Sequence, residues 1–523
     1  MNGWQGDVTE SPGTAIRKIP QKILNHDRCL YSALLIGTLI LYGISCAPGL
    51  LWQDSGLIQY RVWQGDLKGP WGLALSHPLY YLVAQAAKAL PWGHWAARVN
   101  LISCVAGAIT VANLSLFVRF WSGSRFAGCM AGLSLAVSHT FWRHASIAET
   151  YTLWAAFWSA ELLVWILFVR ARRTGILYLL GLLNGLAVAV HLLGLISGLC
   201  YGAALAVLTG RRQLTGRHLA GIACAWLIGA SPLLGLMVQS LVNGSSFMEV
   251  IRSVLFGNQW QSAVLNTRIT WDLLEENLLF GLLNFPTPTI LCLCVALRRG
   301  WAGGWQRTVM VMIVAQGLLF LIFAGRYTVP DRYGFFIPFY GIVAALIGWG
   351  TCLFRSSLRE KTAMVLLALV PVGVYGALPG WIDRMGLDLG TRGDVPYRED
   401  VSWFIRPWKT GYHGARRFAT EALEQVAPDA VIYADLTTAW PLRLLQEADG
   451  FRPDVVIQDP VHETISCAPR DPDVGGRSWF DRPVYVVSEQ EGYCPDWIRQ
   501  GTVLTRDGVL WAVRPLQENG CLP

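Results

Sequence analysis

Charge is scarce in this chain. Asp, Glu, Lys and Arg make up 15% of its 523 residues, where a soluble protein carries roughly 25%. That deficit excludes an ordinary soluble domain, and hydrophobic residues, at 53%, fill the place of the missing charge. A metal-binding cysteine pattern is also lacking. Cys29, Cys46, Cys104, Cys129, Cys200, Cys224, Cys292, Cys294 and Cys352 lie in or beside apolar segments, where cysteine behaves as a small hydrophobe. The pair Cys292 and Cys294 is too close and too apolar for a zinc site, and neither a metal nor a cofactor is expected. Cys467, Cys494 and Cys521 fall in the polar C-terminal part, and they permit one disulfide whose pairing the sequence leaves open. Tandem repeats and low-complexity stretches are absent. The first 29 residues are polar and precede a span-length apolar run, so no cleavable signal peptide is expected and that run reads as a start-transfer anchor. The net charge of +7 needs no nucleic-acid partner, because the placement of the arginines explains it.

What is present is a series of apolar runs divided by short Arg-rich loops, the pattern of a polytopic helical membrane protein. Candidate spans are about 30–48, 97–119, 125–141, 149–169, 175–190, 192–209, 218–241, 276–297, 308–324, 334–354 and 362–379. Arg17, Lys18, Lys22 and Arg28 precede the first span. On the same side follow Arg119 with Arg125; Arg170, Arg172 and Arg173; Arg211, Arg212 and Arg217; Arg298, Arg299 and Arg307; then Arg355, Arg359 and Lys361. The positive-inside rule makes that side cytoplasmic. Loops 49–96, 142–148, 242–275 and 325–333 then face outward, to the periplasm, the cell exterior or the ER lumen. Counting Leu75–Leu90 as a span would invert every later loop, so it is expected as an interfacial or re-entrant helix.

Three parts are expected: a cytoplasmic segment 1–29, a multi-pass domain 30–379 with a long first external loop at 49–96, and an extracytoplasmic α/β domain 380–523. The strands of the last are read at 430–434, 455–457 and 484–487, with helices at 415–426 and 440–448. The fold class is mostly α, a transmembrane bundle of about 11 spans bearing this small α/β unit.

The informative polar residues gather on the outer side: Asp54, Arg61, His77, Tyr80, Arg98, Asn100, Trp142, Arg143, His144, Glu149, Tyr151, His191, Arg326, Asp331 and Arg332. Ionisable groups at membrane depth are costly and by default mark function. Each has a plainer reading. Asp54 before Ser-Gly suits a helix cap, Glu149 suits the positive end of its own helix dipole, and His191 suits an interhelical hydrogen bond. Arg326 and Arg332 suit the membrane interface. Their coincidence on one leaflet, beside a long loop, fits a lipid-phosphate substrate. Its tail would lie among helices, its phosphate on arginines and its headgroup near a carboxylate.

Asp54-Ser55-Gly56, His77-Pro78 with Tyr81, Arg98-Val99-Asn100, Trp142 with Ala148-Glu149 and Tyr151, and Gly185-Leu186 with His191 occur in this order. So do Asp331-Arg332-Tyr333 with Pro338 and, in the tail, Arg452-Pro453-Asp454-Val455. Together they resemble the transmembrane O-mannosyltransferase family of the C-type (GT-C) glycosyltransferase superfamily, over about residues 30–460. The resemblance implies Asp54 as the base that takes the acceptor hydroxyl's proton, and a polyprenyl- or dolichyl-phosphate sugar as donor, with inversion. His77, Tyr81, Arg98, Asn100, Trp142, Glu149, Tyr151 and His191 are implied substrate contacts. Arg143, His144, Arg326 and Arg332 are the candidates for the donor phosphate. The acceptor is a protein, glycan or lipid hydroxyl in the setting of the bilayer. Two departures bear on the acceptor: Leu57 stands where the family carries an acidic residue, and the proline pair after the loop histidine is reduced to Pro78-Leu79. A transporter or flippase of a lipid-linked or small polar substrate is the alternative.

Overall fold

The computed structural model describes residues 21–301, 303–329, 331–352, 357–387, 392–459 and 482–515. Arg17, Lys18, Arg355, Cys467 and Cys521 lie outside them. Among the described residues, seven helices are long and apolar enough to cross a membrane. They are His26–Ser45, Trp95–Ser122, Thr150–Ala171, Gly216–Val242, Trp305–Arg326, Arg332–Thr351 and Leu358–Met385.

The structure redraws the remaining expected spans. The stretch 276–297 is not one straight helix: Trp271–Asn284 and Pro288–Arg299 meet at a bend of 106°. Pro286 and Pro288 remove two amide donors and bar the helical conformation of the residue before each. Counting this pair as one span gives up to eight. The stretch 125–141 contains a helix of only 12 residues, Arg125–Ala136, about 18 Å long at 1.5 Å per residue and short of a bilayer core of about 30 Å. Ile176–Val190 and Gly194–Gly210 are likewise shorter apolar helices. The tempting segment 75–90 holds the 11-residue helix Pro78–Lys88, too short to span.

Small residues set a close helix contact. A Cβ on Gly185 would lie 2.2 Å from Trp226 O, and one on Gly229 would lie 2.3 Å from Leu182 O, so helices Ile176–Val190 and Gly216–Val242 approach backbone to backbone. Beside them Glu161 is fully buried at mid-helix in Thr150–Ala171. Asn184 Nδ2 donates to Glu161 Oε1 at 3.1 Å and to Gly194 O at 3.0 Å, and Trp226 Nε1 donates to Asn184 Oδ1 at 3.0 Å. This polar node stitches four helices together across the break at His191.

The C-terminal region forms a mixed five-stranded sheet in the order β2-β1-β3-β5-β4. Its strands are β1 (Val431–Tyr433), β2 (Val456–Gln458), β3 (Val484–Val486), β4 (Thr502–Asp507) and β5 (Leu510–Pro515). β1 pairs in parallel with β2 and β3, whereas β5 is antiparallel to β3 and β4. Helices Gly414–Gln425 and Ala439–Asp449 accompany them. The first three strands and both helices match the sequence expectation. The β4–β5 hairpin was not expected, although Asp507-Gly508 at its turn, with Gly508 at φ +55°, carries a hairpin signal.

This region packs on helix Gln53–Gln64, the first helix of loop 49–96. Trp52 Nε1 donates to Tyr412 OH at 2.7 Å, the Trp52 ring lies 5.5 Å from Phe418, and Tyr60 lies 5.5 Å from Trp440. A Cβ on Gly56 would come within 2.5 Å of Leu51 O and 3.0 Å of Trp440 Cβ. That contact gives the glycine of Asp54-Ser55-Gly56 a steric reason.

Candidate active site

Asp54 sits in the first turn of helix Gln53–Gln64, but Trp52 holds the N-cap position and no side chain caps the helix. Its carboxyl instead lies within electrostatic reach of that of Asp331, which comes just before helix Arg332–Thr351. Both residues are solvent-exposed, with enough protein around them to raise the cost of ionising them, the setting of groups that line an open recess.

Glu149 joins them from the start of helix Thr150–Ala171. Its backbone N–H donates to Ser103 Oγ at 3.2 Å, and its Oε1 accepts from Ser55 Oγ at 3.2 Å. Arg143, from the short helix His139–His144, is the cation felt by all three carboxyls. Its side chain is buried, Nη1 donates to Tyr333 OH at 2.5 Å, and Nε has no hydrogen-bond partner. The rings of Tyr333, Phe404 and Trp403 lie 5.2, 5.7 and 5.9 Å from its guanidinium carbon, an aromatic seat that suits arginine.

Burial drives the electrostatics. It lifts Asp54 well above the usual carboxylate range, Asp331 and Glu149 add to the rise, and Arg143 opposes it. Glu149 is pushed up to about 7, mainly by burial, with Arg143 pulling down and Asp331 pushing up. Carboxylates that share one low-dielectric site resist ionising together.

Two histidines form an adjoining wall. His77 and His191 stack with ring centroids 5.0 Å apart, and Tyr151 lies 5.2 Å from His191. His77 occupies left-handed backbone at φ +48°, a strained conformation for a non-glycine residue. Arg61 holds it there by donating to Leu75 O and Ser76 O, each at 3.1 Å. His77 Nδ1 bonds Val190 O at 2.8 Å, and His191 Nδ1 accepts from Leu193 N–H at 3.1 Å. Burial, with Arg61 beside it, brings His77 down to about 4. His144 bonds Thr140 O through Nδ1 and stands edge-on to Tyr151 at 5.2 Å.

The structure therefore gathers Asp54, Arg143, His144, Glu149, Tyr151, His77 and His191 around one recess. The other expected site residues are engaged elsewhere. Tyr81 is buried under the Arg61 guanidinium at 3.8 Å. Arg98 donates to the backbone carbonyls of Ala87, Lys88, Trp92 and Gly93, folding the end of loop 49–96. Asn100 Nδ2 bonds Ala47 O at 2.9 Å and Gly49 O at 3.0 Å, and Trp142 Nε1 donates to Ser45 Oγ at 3.0 Å. Arg326 Nη1 donates to Val264 O at 2.6 Å and Asn266 O at 2.8 Å. Arg332 is paired with Glu276 and Asn277. Asp331 was visible among the outer polar residues but had no role assigned, because only the fold brings it to Asp54. Among the described residues, no group of three His, Cys, Asp or Glu side chains lies close enough to hold a metal ion.

Residues 76–214 match the family model described as the N-terminal domain of protein O-mannosyl-transferase TMEM260. Comparison with curated protein sequences finds no match. Among solved structures, ArnT from Cupriavidus metallidurans bound to undecaprenyl phosphate aligns over 95% of this chain and 99% of its own, at 15% identity and a TM-score of 0.55. Its apo form aligns over 94% and 98%, again at 15% identity and a TM-score of 0.55. The Saccharomyces cerevisiae Pmt1-Pmt2 protein O-mannosyltransferase complex, bound to its sugar donor, aligns over 46% of this chain and 35% of its own, at 14% identity and a TM-score of 0.34. At this identity the ArnT alignments speak for the fold, and the family match speaks for the stretch that carries His77, Arg143, Glu149 and His191. Together they give the chain the multi-pass membrane fold of ArnT and, over residues 76–214, a resemblance to the protein O-mannosyl-transferases.

Proposed function

We propose that this chain transfers a sugar, with inversion, from a polyprenyl- or dolichyl-phosphate donor to an acceptor hydroxyl, using Asp54 as general base. The observation that carries the reading is that Asp54, Glu149 and Asp331 all lie within electrostatic reach of the one buried Arg143. In the proposed step the acceptor oxygen bonds to the anomeric carbon while Asp54 takes the hydroxyl proton. The bond from the anomeric carbon to the phosphate oxygen breaks, and its electron pair leaves with the lipid phosphate. Arg143, buried with a free Nε–H, is the cation placed to meet that charge, with His144 beside it. Arg326 and Arg332 give their hydrogen bonds to protein partners and hold the surrounding segments.

Mannose as the sugar and a protein hydroxyl as the acceptor follow the matched family's description. A lipid-phosphate donor agrees with the undecaprenyl phosphate bound in the ArnT structure. The clustered rings of His77, His191 and Tyr151 offer an aromatic wall for a pyranose. An extracytoplasmic site is favoured by the arginines: helix Thr150–Ala171 begins at Glu149 and ends at Arg170, and helix Trp95–Ser122, whose Ser103 meets Glu149, ends at Arg119. We assign residues 30–379 to the catalytic bundle and 380–523 to an outer domain that braces it.

Asp54→Asn, assayed in membranes with a polyprenyl-phosphate sugar, tests the assignment. A folded variant that still transfers at the normal rate removes the base. Proteoliposomes that move the lipid-linked sugar with no covalent product would favour a transporter instead.

A further inference from the structure

The wall formed by His77 and His191 carries more than aromatic surface, and its meaning rests on the sugar transfer proposed above. We infer that the two imidazoles are locked in opposite tautomers and read a hydroxylated sugar through one hydrogen-bond acceptor and one donor.

The tautomers follow from what each Nδ1 touches. A carbonyl oxygen only accepts, so the 2.8 Å bond between His77 Nδ1 and Val190 O puts a proton on that nitrogen. Burial, with Arg61 beside it, keeps the His77 ring neutral at physiological pH, and its Nε2 is then a bare lone pair. At His191 the bond runs the other way. Leu193 N–H donates to Nδ1 at 3.1 Å. A nitrogen that accepts cannot also hold a proton, so the ring is neutral and its proton sits on Nε2.

Both settings are built into the backbone. His77 is held at φ +48°, with Arg61 donating to the two carbonyls before it. Val190, which orients His77, is the residue immediately before His191. The break between helices Ile176–Val190 and Gly194–Gly210 therefore sets both rings at once. The rings lie within 24° of parallel at 5.0 Å between centroids. Each residue is half-buried, and neither Nε2 has a hydrogen-bond partner among the described residues. Neither atom is sealed from solvent. Tyr151 joins this wall to the reaction centre: it stands 5.2 Å from His191, edge-on to His144 at 5.2 Å, and two residues beyond Glu149.

Phenylalanines would stack on a pyranose as well, but they would not tell a hydroxyl from a hydrogen. The paired imidazoles do. One sugar hydroxyl gives its proton to His77 Nε2, and a neighbouring oxygen accepts from His191 Nε2–H.

The test sets polyprenyl-phosphate mannose against its monodeoxy analogues, one hydroxyl removed at a time, in wild type, His77→Asn and His191→Asn. Asn suits both places. At 77 it tolerates left-handed backbone and its Nδ2 can replace the donor to Val190 O. At 191 its Oδ1 can accept from Leu193 N–H, so only the Nε2 group is lost in each case. Wild type should lose about tenfold or more in kcat/KM for the analogues whose missing hydroxyl faces the histidines. Each variant, shown to be folded by its melting curve, should abolish the penalty at its own hydroxyl and keep the others. Equal kcat/KM for every analogue in wild type overturns the inference before any substitution is made. Wild-type ratios retained in both folded variants also overturn it, even with sugar transfer established. Displacement of a fluorescent polyprenyl-phosphate mannose from the full-length protein by the same analogues gives a readout independent of transfer. The same position-specific losses in binding, with no transfer by wild type, would leave the tautomer pair standing and sink the reaction instead. Wild type that neither binds nor transfers this donor sinks both.

Discussion

Arg398 Nη2 donates to Gln53 Oε1 at 2.8 Å, so the C-terminal region grips the residue immediately before Asp54. Gln53 is held at φ +51° and its N–H points to Thr437 O at 3.3 Å. A left-handed non-glycine residue costs about 1–2 kcal/mol, and contacts from outside the helix offset that strain. Arg398→Met should therefore lower kcat by roughly tenfold to a hundredfold through a misplaced carboxylate, with little change in the donor KM. Steady-state kinetics over a donor series decides it. A pure KM effect would instead place Arg398 on the substrate.

The same junction makes the C-terminal region a brace for the catalytic helix. Trp440 is buried against Tyr60 and Gly56. Trp440→Ala should cost about 3–5 kcal/mol of stability and reduce transfer with it, as thermal melts alongside activity would show. A chain that keeps full transfer after deletion of residues 392–515 would show this region to be accessory.

The membrane bundle and the parallel part of the sheet are legible in the sequence because both are written in burial. Span-length apolar runs and short β-branched strands need no knowledge of partners. The kink at Pro286 and Pro288 was missed when hydropathy was averaged across two prolines that no straight helix accommodates. At the recess, Asp54, Arg143 and Glu149 stand out as charges in apolar context. Their relation to Asp331 does not, since no periodicity links residue 54 to residue 331. Arg98, Asn100 and Arg332 show the converse. They carry the same polar signal in sequence, yet their hydrogen bonds close loops and helix ends. A buried polar residue announces that a partner exists without saying whether the partner is backbone or substrate.

Asp54→Asn should separate stability from activity. Folding raises the Asp54 pKa, so the fold favours the protonated form. Its stabilising contribution is full below the unfolded value of about 3.9 and is lost as pH rises through the raised folded value. The amide keeps the shape without the ionisation. The variant should melt higher than wild type at neutral pH, and the gap should close toward pH 4, while transfer is abolished. Melting curves from pH 4 to 8 check the sign; a variant that melts lower at pH 7 would contradict it.

The three arginine candidates for the donor phosphate should divide cleanly. Arg143→Lys removes the bond to Tyr333 and the planar cation beside the carboxyls. A loss of roughly a hundredfold in kcat/KM is expected, the scale of one lost transition-state donor. Arg332→Gln gives up its bonds to Glu276 and Asn277, at a cost of about 1–3 kcal/mol in stability with transfer per folded molecule preserved. Arg326→Gln should resemble Arg332→Gln. Equal kinetic defects at Arg143 and Arg332 would return Arg332 to the substrate.

Gly334 supplies the sharpest packing test. It lies two residues beyond Arg332, and a Cβ there would sit 2.9 Å from the Tyr151 ring and 3.1 Å from His144 Nε2. Neither ring can retreat freely: His144 is tied to Thr140 O at 2.7 Å, and Tyr151 is packed between His191 and Phe335. Gly334→Ala must displace one of them, at a cost of about 1–3 kcal/mol for overpacking. If Tyr151, His191 and His77 form the sugar wall, the displacement should raise the donor KM several-fold and leave the acid limb of the pH profile in place, because Asp54 and Asp331 are untouched. Activity and melting temperature both equal to wild type would mean that the rings yield without consequence, and the aromatic wall would lose its place in substrate recognition.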